Sequence, residues 1–201
     1  MKAVLASNNK HKLVEIKTML KDKIREIYTL KDMGIEIEIE ENGTTFEQNA
    51  YIKASTIAKL TGLPAIGDDS GICVEALNGE PNIYSARYAG EPCNDANNNK
   101  KLLDKLHALE AKTGVVNRKA YFQSVVVLCY PDGSYISGSG RTYGQIIDEY
   151  RGTNGFGYDP IFLSDELGKT FGEAVMEEKN TISHRSRALK DLLQKFNSEK
   201  A

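Results

Sequence analysis

The sequence lacks the motifs that identify several common classes of nucleotide-binding protein. No stretch matches the phosphate-binding pattern GxxxxGK[ST]. Gly138, Gly140 and Gly144 have the wrong spacing for the dinucleotide-binding pattern GxGxxG. These absences exclude a Walker-type phosphate loop and a Rossmann-type dinucleotide site. Any nucleotide site must therefore be built from other residues.

Cysteine and histidine are also scarce. The three cysteines form no CxxC pair, which predicts reduced thiols and a reducing compartment. The three histidines form no HExxH-like arrangement, which makes a zinc site unexpected. No hydrophobic run approaches the length of a membrane span, and the apolar start of the chain is too short for a signal peptide. We therefore expect a cytoplasmic protein with no membrane partner.

An excess of one charge sign is absent as well. The chain carries 26 lysines and arginines against 28 aspartates and glutamates, for a formal net charge of -2. A protein that binds nucleic acid as a general polyanion would usually be basic. The composition therefore predicts no nucleic-acid partner and confines any phosphate-binding surface to a local cluster.

The 201 residues, of which 40% are hydrophobic, suit one globular domain. Helical and strand-like patterns alternate, and a long hairpin around the turn PDGS interrupts them, which predicts an α/β fold with a mixed sheet. Alternating Ile and Glu over residues 35–40 predict a half-exposed strand or an extended edge. Thr45 and Gln48 form a capping-box pattern at the start of a helix that Gly62 ends. A last helix is predicted from about Ser183.

A polar segment, SNNKHK at residues 7–12, lies between the first predicted strand and the first predicted helix. A helix N-terminus presents unpaired backbone N–H groups and the positive end of the helix dipole, which suits a phosphate. Lys10 and Lys12 add charge, and Ser7 and Asn9 add hydrogen-bonding groups. N-capping with solvated lysines explains the same residues, and both interpretations stay open.

The segment GDDSG at residues 67–71 places two consecutive acids after an apolar run, and we expect it at the end of a strand. Such acids are costly to bury without partners. The flanking glycines allow a sharp turn and the close approach of a ligand. Grouped carboxylates suit a hard cation such as Mg²⁺, and one of them can take a proton from water. A structural turn with side chains bonded to the backbone is the alternative.

Three further segments gain weight only in combination. Residues 40–43, EENG, by themselves indicate a solvated turn. In GFGYDP, residues 155–160, two aromatics separated by a glycine suit stacking on a planar base, although they equally suit a core. Basic residues from Lys179 to Arg185 lie near the start of the last helix, where they oppose its dipole, so we expect an anionic group nearby.

Taken together, these segments resemble the inosine triphosphate pyrophosphatase family, which hydrolyses non-standard purine nucleotides. The matching pieces run in the family's order and cover nearly the whole chain: SNNKHK, EENGTTFEQNAYIKA, PAIGDDSGICVEALNGEPNIYSARYAG, GTNGFGYDPIF and EEKNTISHRSRAL. The resemblance implies an elongated mixed sheet with flanking helices and one domain, residues 1–201, of two lobes around a central cleft. It also implies a homodimer that hydrolyses ITP, dITP and XTP to the monophosphate and pyrophosphate with Mg²⁺.

The resemblance also implies roles for individual residues. Asp69 would be the general base and would share Mg²⁺ with Glu40 or Glu41, between which the match does not choose. Lys53 would reach the phosphates. If Asp69 is not the base, Asp68 or a glutamate is the next candidate. The remaining residues would bind the substrate. The phosphates would be held by Ser7, Asn8, Asn9, Lys10, His11 and Lys12, and the nucleoside pocket would be lined by Ser70, Phe156, Gly157, Tyr158 and Asp159. Lys179, His184 and Arg185 would complete the contacts to both the base and the phosphates.

Base selection would depend on donors aimed at the six-keto oxygen of hypoxanthine or xanthine, from Arg185 or from backbone N–H groups near Tyr158. Adenine carries an amino group at that position and would leave those donors unpaired.

Two alternatives remain at this stage. A related pyrophosphatase for modified pyrimidine nucleotides would keep the acids and lysines but change the base pocket. A non-catalytic nucleotide sensor or an RNA-binding module is a different class. A sensor would not need the paired acids of GDDSG, and an RNA-binding module should be basic.

Overall fold

A computed structural model of the chain describes residues 1–21 and 23–198. Over these residues the strands and α-helices follow one another in the order β1 (Lys2–Leu5), α1 (Lys10–Leu20), β2 (Glu26–Thr29), α2 (Phe46–Thr61), β3 (Ala65–Val74), α3 (Asp95–Thr113), β4 (Lys119–Cys129), β5 (Tyr135–Ile146), β6 (Phe162–Ser164), α4 (Met176–Ile182) and α5 (His184–Ser198). Short 3₁₀ helices cover Glu75–Leu77, Asn82–Arg87 and Asp159–Ile161.

The six strands form one sheet in the order β2-β1-β3-β4-β5-β6. Strand β1 pairs in parallel with β2 and with β3, whereas β5 and β6 are antiparallel. Parallel and antiparallel pairs in one sheet with flanking helices confirm the predicted α/β class with a mixed sheet. Among the described residues, no helix combines the length and apolar composition needed to cross a membrane.

The chain divides into two compact units, and each has its own core. Unit 1 comprises Met1–Asp69, Ser124–Gly140 and His184–Ala201, and unit 2 comprises Ser70–Gln123 and Arg141–Ser183. The core of unit 1 is mainly aliphatic, with Leu5, Ile66 and Leu189 among its members. The core of unit 2 contains three aromatic rings in mutual contact: Phe122, Phe162 and Phe171. The predicted cleft between two lobes stays a prediction.

The helix-capping predictions are confirmed in most respects. The hydroxyl of Thr45 accepts a hydrogen bond from the backbone N–H of Gln48, and Gly62 ends α2 with a φ of 67°. The side chain of Gln48 accepts from the backbone N–H of Thr44 rather than that of Thr45, so the box is displaced by one residue. Helix α5 begins directly after Ser183, as predicted.

The expected strand over residues 35–40 is wrong, because the structure gives this segment no strand pairing. Ile37 is 39% exposed, and most of the glutamates around it are exposed as well. The alternation of Ile and Glu therefore does not produce a buried face, and without one nothing fixes the register of a strand.

The segment GDDSG does not end a strand but lies in the middle of β3. Neither of its glycines forms a turn. A Cβ atom at Gly67 would lie 2.0 Å from the carbonyl oxygen of Ala50 on α2, and one at Gly71 would lie 2.2 Å from that of Asn82. The glycines therefore let other backbone segments pack closely on β3. The close approach at Gly67 brings α2 against the part of β3 that carries the two aspartates.

Candidate active site

Asp69 lies at the centre of a polar cluster in unit 1 that β3 and α2 build. The amide nitrogen of Asn49 donates to its Oδ2 at 3.1 Å, and the ammonium of Lys53 lies 3.5 Å from its Oδ1. Asn49 and Lys53 are four residues apart on α2, so they project from the same face of that helix. Lys53 also pairs with Glu41 at 3.0 Å. We call Glu41, Asn49, Lys53 and Asp69 the Asp69 cluster.

Asn49 also fixes the segment that carries Glu41. Its side-chain oxygen accepts from the backbone N–H of Gly43 at 2.9 Å, and the residue is fully buried. One amide thus links residues 40–43 to Asp69. The structure thereby brings Glu41 to Lys53, whereas Glu40 is exposed. Of the two glutamates that the sequence left open, the geometry favours Glu41.

The environment of Asp69 alters its acidity. Burial raises the pKa of its carboxyl group, and the positive charges of Lys53 and Lys12 oppose that shift only in part. A carboxylate with a raised pKa takes a proton more readily than an ordinary aspartate. Asp69 is therefore suited to accept a proton from water.

Asp68, the preceding residue on β3, has entirely different partners, because successive side chains of a strand point to opposite faces. Its carboxylate accepts from Ser124 on β4 at 2.8 Å and from Nε of Arg185 on α5 at 3.1 Å. The ammonium of Lys12 on α1 lies 2.7 Å from it. Arg185 in turn pairs with Glu15 on α1. We call Lys12, Glu15, Asp68, Ser124 and Arg185 the Asp68 cluster.

Burial alone would raise the pKa of Asp68, but the charges of Arg185 and Lys12 and their hydrogen bonds hold it well below its usual range. The side chains of Asp68 and Arg185 are 0% and 1% exposed, so neither charge is screened by water. A carboxylate with this many donors is a poor proton acceptor. The predicted role of Asp68 as the second candidate for the base is therefore not supported, and a structural role fits its contacts.

The polar segment after β1 is mainly a helix cap. The side-chain oxygen of Asn9 accepts from the backbone N–H groups of His11 and Lys12, and Ser7 accepts from that of Asn9. Of the two interpretations that the residues leave open, the structure shows the N-cap. The side chains of Asn8, Lys10 and His11 are exposed, and a phosphate-binding role for the segment stays a prediction.

The basic residues before and within α5 have different partners in the structure. Lys179 lies on α4, which the sequence did not predict, and pairs with the buried Asp159 at 2.6 Å within unit 2. Arg185 lies on α5 and pairs with Asp68 and Glu15, while the neighbouring His184 is buried. The anionic groups expected near these cations are thus the protein's own carboxylates. To donate a hydrogen bond to a nucleobase, Arg185 would have to break its ion pairs with Asp68 and Glu15.

The GFGYDP segment forms a tight loop in unit 2. One carboxylate oxygen of Asp159 accepts from the backbone N–H of Phe156 at 2.9 Å and from Lys179. The Lys179 ammonium lies 5.1 Å from the centre of the Phe156 ring. Phe156 is half-buried, and an aromatic ring suits stacking on a planar base.

Tyr158 is a core residue in this structure, and its place in the nucleoside pocket stays a prediction. It is 4% exposed, belongs to the core of unit 2 and donates its hydroxyl to the carbonyl of Ser85 at 2.8 Å. Burial also raises the pKa of its hydroxyl. Tyr158 anchors the loop to the core, whereas Phe156 is only half-buried. Ser70 lies half-buried in β3.

Sequence reasoning missed Glu15, Asn49 and Ser124. Only Asn49 carries a signal that could have found it: it lies three residues after Phe46 and three before Ile52, which places a polar side chain on a face of α2 with apolar neighbours. Polar residues in such positions are rarely buried without partners, so the position of Asn49 indicates buried hydrogen bonds.

A family model, curated sequences and solved structures all relate this chain to the same group of proteins. The Ham1 family matches residues 3–195. The dITP/XTP pyrophosphatase of Clostridium perfringens is 47% identical over 197 residues, which cover 95% of each chain. A HAM1 protein from Coxiella burnetii has a similar structure, with a TM-score of 0.88 and 39% identity over 98% of this chain and 99% of that one. The Staphylococcus aureus Ham1 protein has a TM-score of 0.85 and 40% identity over the whole of both chains.

The Asp68 cluster gives a prediction about stability. Removing one partner of a buried ion pair leaves the others uncompensated, so Asp68→Asn should lower the free energy of unfolding by about 3–5 kcal/mol at neutral pH. Asp104→Asn is the control, because Asp104 pairs with Lys100 on the surface and both side chains are more than half exposed. Urea unfolding measures both, and equal losses for the two variants would contradict the assignment.

The wild-type protein should also respond to acid. The pKa of Asp68 is lower in the folded state than its ordinary value of 3.8. Its contribution to stability is therefore complete above that value and is lost as the pH falls below it. Urea unfolding at a series of pH values from neutral downward should show this loss, and Asp104→Asn should keep the same slope. A wild-type stability that stayed level down to pH values well below 3.8 would rule out this role.

Proposed function

Because this chain belongs to the Ham1 family, we propose that it hydrolyses dITP, XTP and related purine nucleoside triphosphates to the monophosphate and pyrophosphate. The observation that carries the proposal is the Asp69 cluster, which combines a carboxylate of raised pKa with a lysine and a second carboxylate. The relative from Clostridium perfringens, named as a dITP/XTP pyrophosphatase, supports an enzyme rather than a nucleotide sensor and a purine rather than a pyrimidine substrate.

The residues of the Asp69 cluster divide the chemical tasks. Asp69 takes the proton from the water that adds across the bond between the α- and β-phosphates. Lys53 neutralises part of the negative charge of the phosphates. Without such neutralisation, that charge would repel the attacking nucleophile. Asn49 holds one carboxylate oxygen of Asp69 by its hydrogen bond and so orients the other. No protein nucleophile is needed, and no covalent intermediate is proposed.

Glu41 and Asp69 also fit a magnesium ion. Both present carboxylate oxygens, which Mg²⁺ prefers, and both lie within 3.5 Å of the same Lys53 ammonium, so they already share one positive charge. Within residues 1–21 and 23–198, no group of three or more acidic, histidine or cysteine side chains could hold a metal. Substrate phosphates and water would therefore complete the coordination. When bound, Mg²⁺ neutralises phosphate charge and lowers the pKa of water.

The nucleoside is assigned to the loop at residues 155–159. The half-buried Phe156 ring offers a stacking face, and the Lys179–Asp159 pair holds the backbone that carries it. Donors that meet a six-keto oxygen would disfavour adenine, since an unmade buried hydrogen bond costs about 1–3 kcal/mol, or roughly ten- to a hundredfold. The cytoplasmic location and the homodimer stay predictions of the family resemblance.

Asp69→Asn tests the proposed base. The substitution keeps the size of the side chain but removes the proton acceptor, so turnover of dITP should fall by about 10² to 10⁴. The control is Asp104→Asn, an exposed change on α3 that should leave turnover within about twofold. Initial rates with saturating Mg²⁺ give the comparison. If Asp69→Asn turned over at a near-normal rate, Asp69 would not be the base.

Glu41 and Glu40 form a matched pair for testing the metal assignment. Glu41→Gln should raise the Mg²⁺ concentration needed for half-maximal rate by about tenfold or more, because a neutral amide is a weaker ligand for a hard cation. Glu40→Gln changes an exposed neighbour by the same chemistry and should leave that concentration unchanged. Titrations of the rate against Mg²⁺ distinguish the two. The reverse pattern would assign the metal to Glu40.

A further inference from the structure

The first turns of α3 hold the backbone of Gly157 from both sides. The carboxylate of Asp95 accepts a hydrogen bond from the Gly157 N–H at 2.8 Å. The amide nitrogen of Asn99 donates to the Gly157 carbonyl at 3.0 Å. The two side chains are four residues apart, so they project from one face of α3. Gly157 therefore has both of its backbone polar groups bound to one rigid element.

The position of Gly157 determines that of its neighbour Phe156. Gly157 has a φ of 63°, a left-handed conformation that favours glycine. Its N–H bond to Asp95 and the bond from Phe156 N–H to Asp159 lie on successive peptide units. The backbone N–H groups on both sides of the Phe156 Cα atom are thus hydrogen-bonded. Because the backbone is held there, the position of the Phe156 ring depends mainly on its side-chain rotamer.

Asn99 is an unfavourable choice for stability alone. It is 3% exposed, and among the described residues its side-chain oxygen has no hydrogen-bond partner. Leaving a buried acceptor unpaired costs about 1–3 kcal/mol. Among the described residues, the bond from its amide nitrogen to Gly157 is the hydrogen bond that the Asn99 side chain makes. The bond to Gly157 is therefore what its presence provides.

We infer that Asp95 and Asn99 are positioning residues for nucleobase recognition, which act by holding Gly157 so that the Phe156 ring is fixed before the nucleoside binds. Preorganisation of this kind increases affinity because the loop is not ordered at the moment of binding. The inference rests on the proposed function, in which Phe156 stacks on the base. It predicts that both residues affect binding of the nucleoside and not the handling of the phosphates.

The test uses two probes, IMP and inorganic pyrophosphate, with the full chain and titration calorimetry. Asp95→Ala should weaken IMP binding by roughly tenfold, the equivalent of about one hydrogen bond, and leave pyrophosphate binding unchanged. Asp95→Asn keeps an acceptor for the Gly157 N–H and should stay within about threefold of the wild type. Since both variants remove the same charge from the start of α3, their difference isolates the hydrogen bond. Asp104→Ala, on the same helix, is the control.

Asn99→Leu separates positioning from stability. It removes the unpaired oxygen but also the donor to the Gly157 carbonyl, so these effects on stability oppose each other and the thermal unfolding midpoint should stay close to that of the wild type, while IMP binding weakens by several-fold. Unchanged IMP binding in both Asp95→Ala and Asn99→Leu would overturn the inference, as would an equal loss of IMP and pyrophosphate binding.

Measuring ITP turnover distinguishes a failure of the proposed function from a failure of the inference about Asp95 and Asn99. For Asp95→Ala, KM for ITP should rise by roughly tenfold while kcat changes by less than about threefold. A wild type that binds IMP but does not hydrolyse ITP would overturn the proposed function and leave the binding comparison to decide the inference. A wild type that does not bind IMP would overturn the inference itself.

Discussion

The buried ion pair between Asp68 and Arg185 is the interaction on which the arrangement of unit 1 depends. It joins β3 to α5, and through Lys12 and Glu15 it joins both to α1. Charges removed from water are tolerated only when each has partners of good geometry. The relative positions of these three elements are therefore constrained by electrostatics as well as by the hydrophobic core. The position of Asp69 is constrained as well, because it is the next residue on the same strand.

Two adjacent aspartates thus acquire opposite properties from one strand. Asp68 meets two cations, which lower its pKa, whereas burial raises the pKa of Asp69 because its cations compensate less completely. When different environments drive the pKa values of two neighbouring carboxyl groups apart, the two groups can take different roles. Here Asp68 has a structural role, and Asp69 is suited to proton transfer. The close packing of α2 at Gly67 then brings Asn49 and Lys53 to Asp69.

Patterns of local sequence predicted most of the elements but not the contacts between distant residues. Helix caps at Thr45 and Gly62 follow from backbone hydrogen bonding, and the sequence therefore predicted them well. The glycines of GDDSG were misjudged because glycine also occurs where another backbone approaches, and only the tertiary structure distinguishes that use from a turn. The buried partners of Arg185 lie 117 and 170 residues away along the chain, so no local pattern could identify them. Roles such as those of Asp69 and Lys53 came from the family resemblance.

Identification of the products formed from dITP by the wild-type protein tests the central claim most directly. If the Asp69 cluster directs water to the bond between the α- and β-phosphates, ion-exchange chromatography should find dIMP and pyrophosphate in equal amounts, with no build-up of dIDP. Release of orthophosphate with dIDP as the main product would contradict it, because the terminal phosphate would then be the one removed.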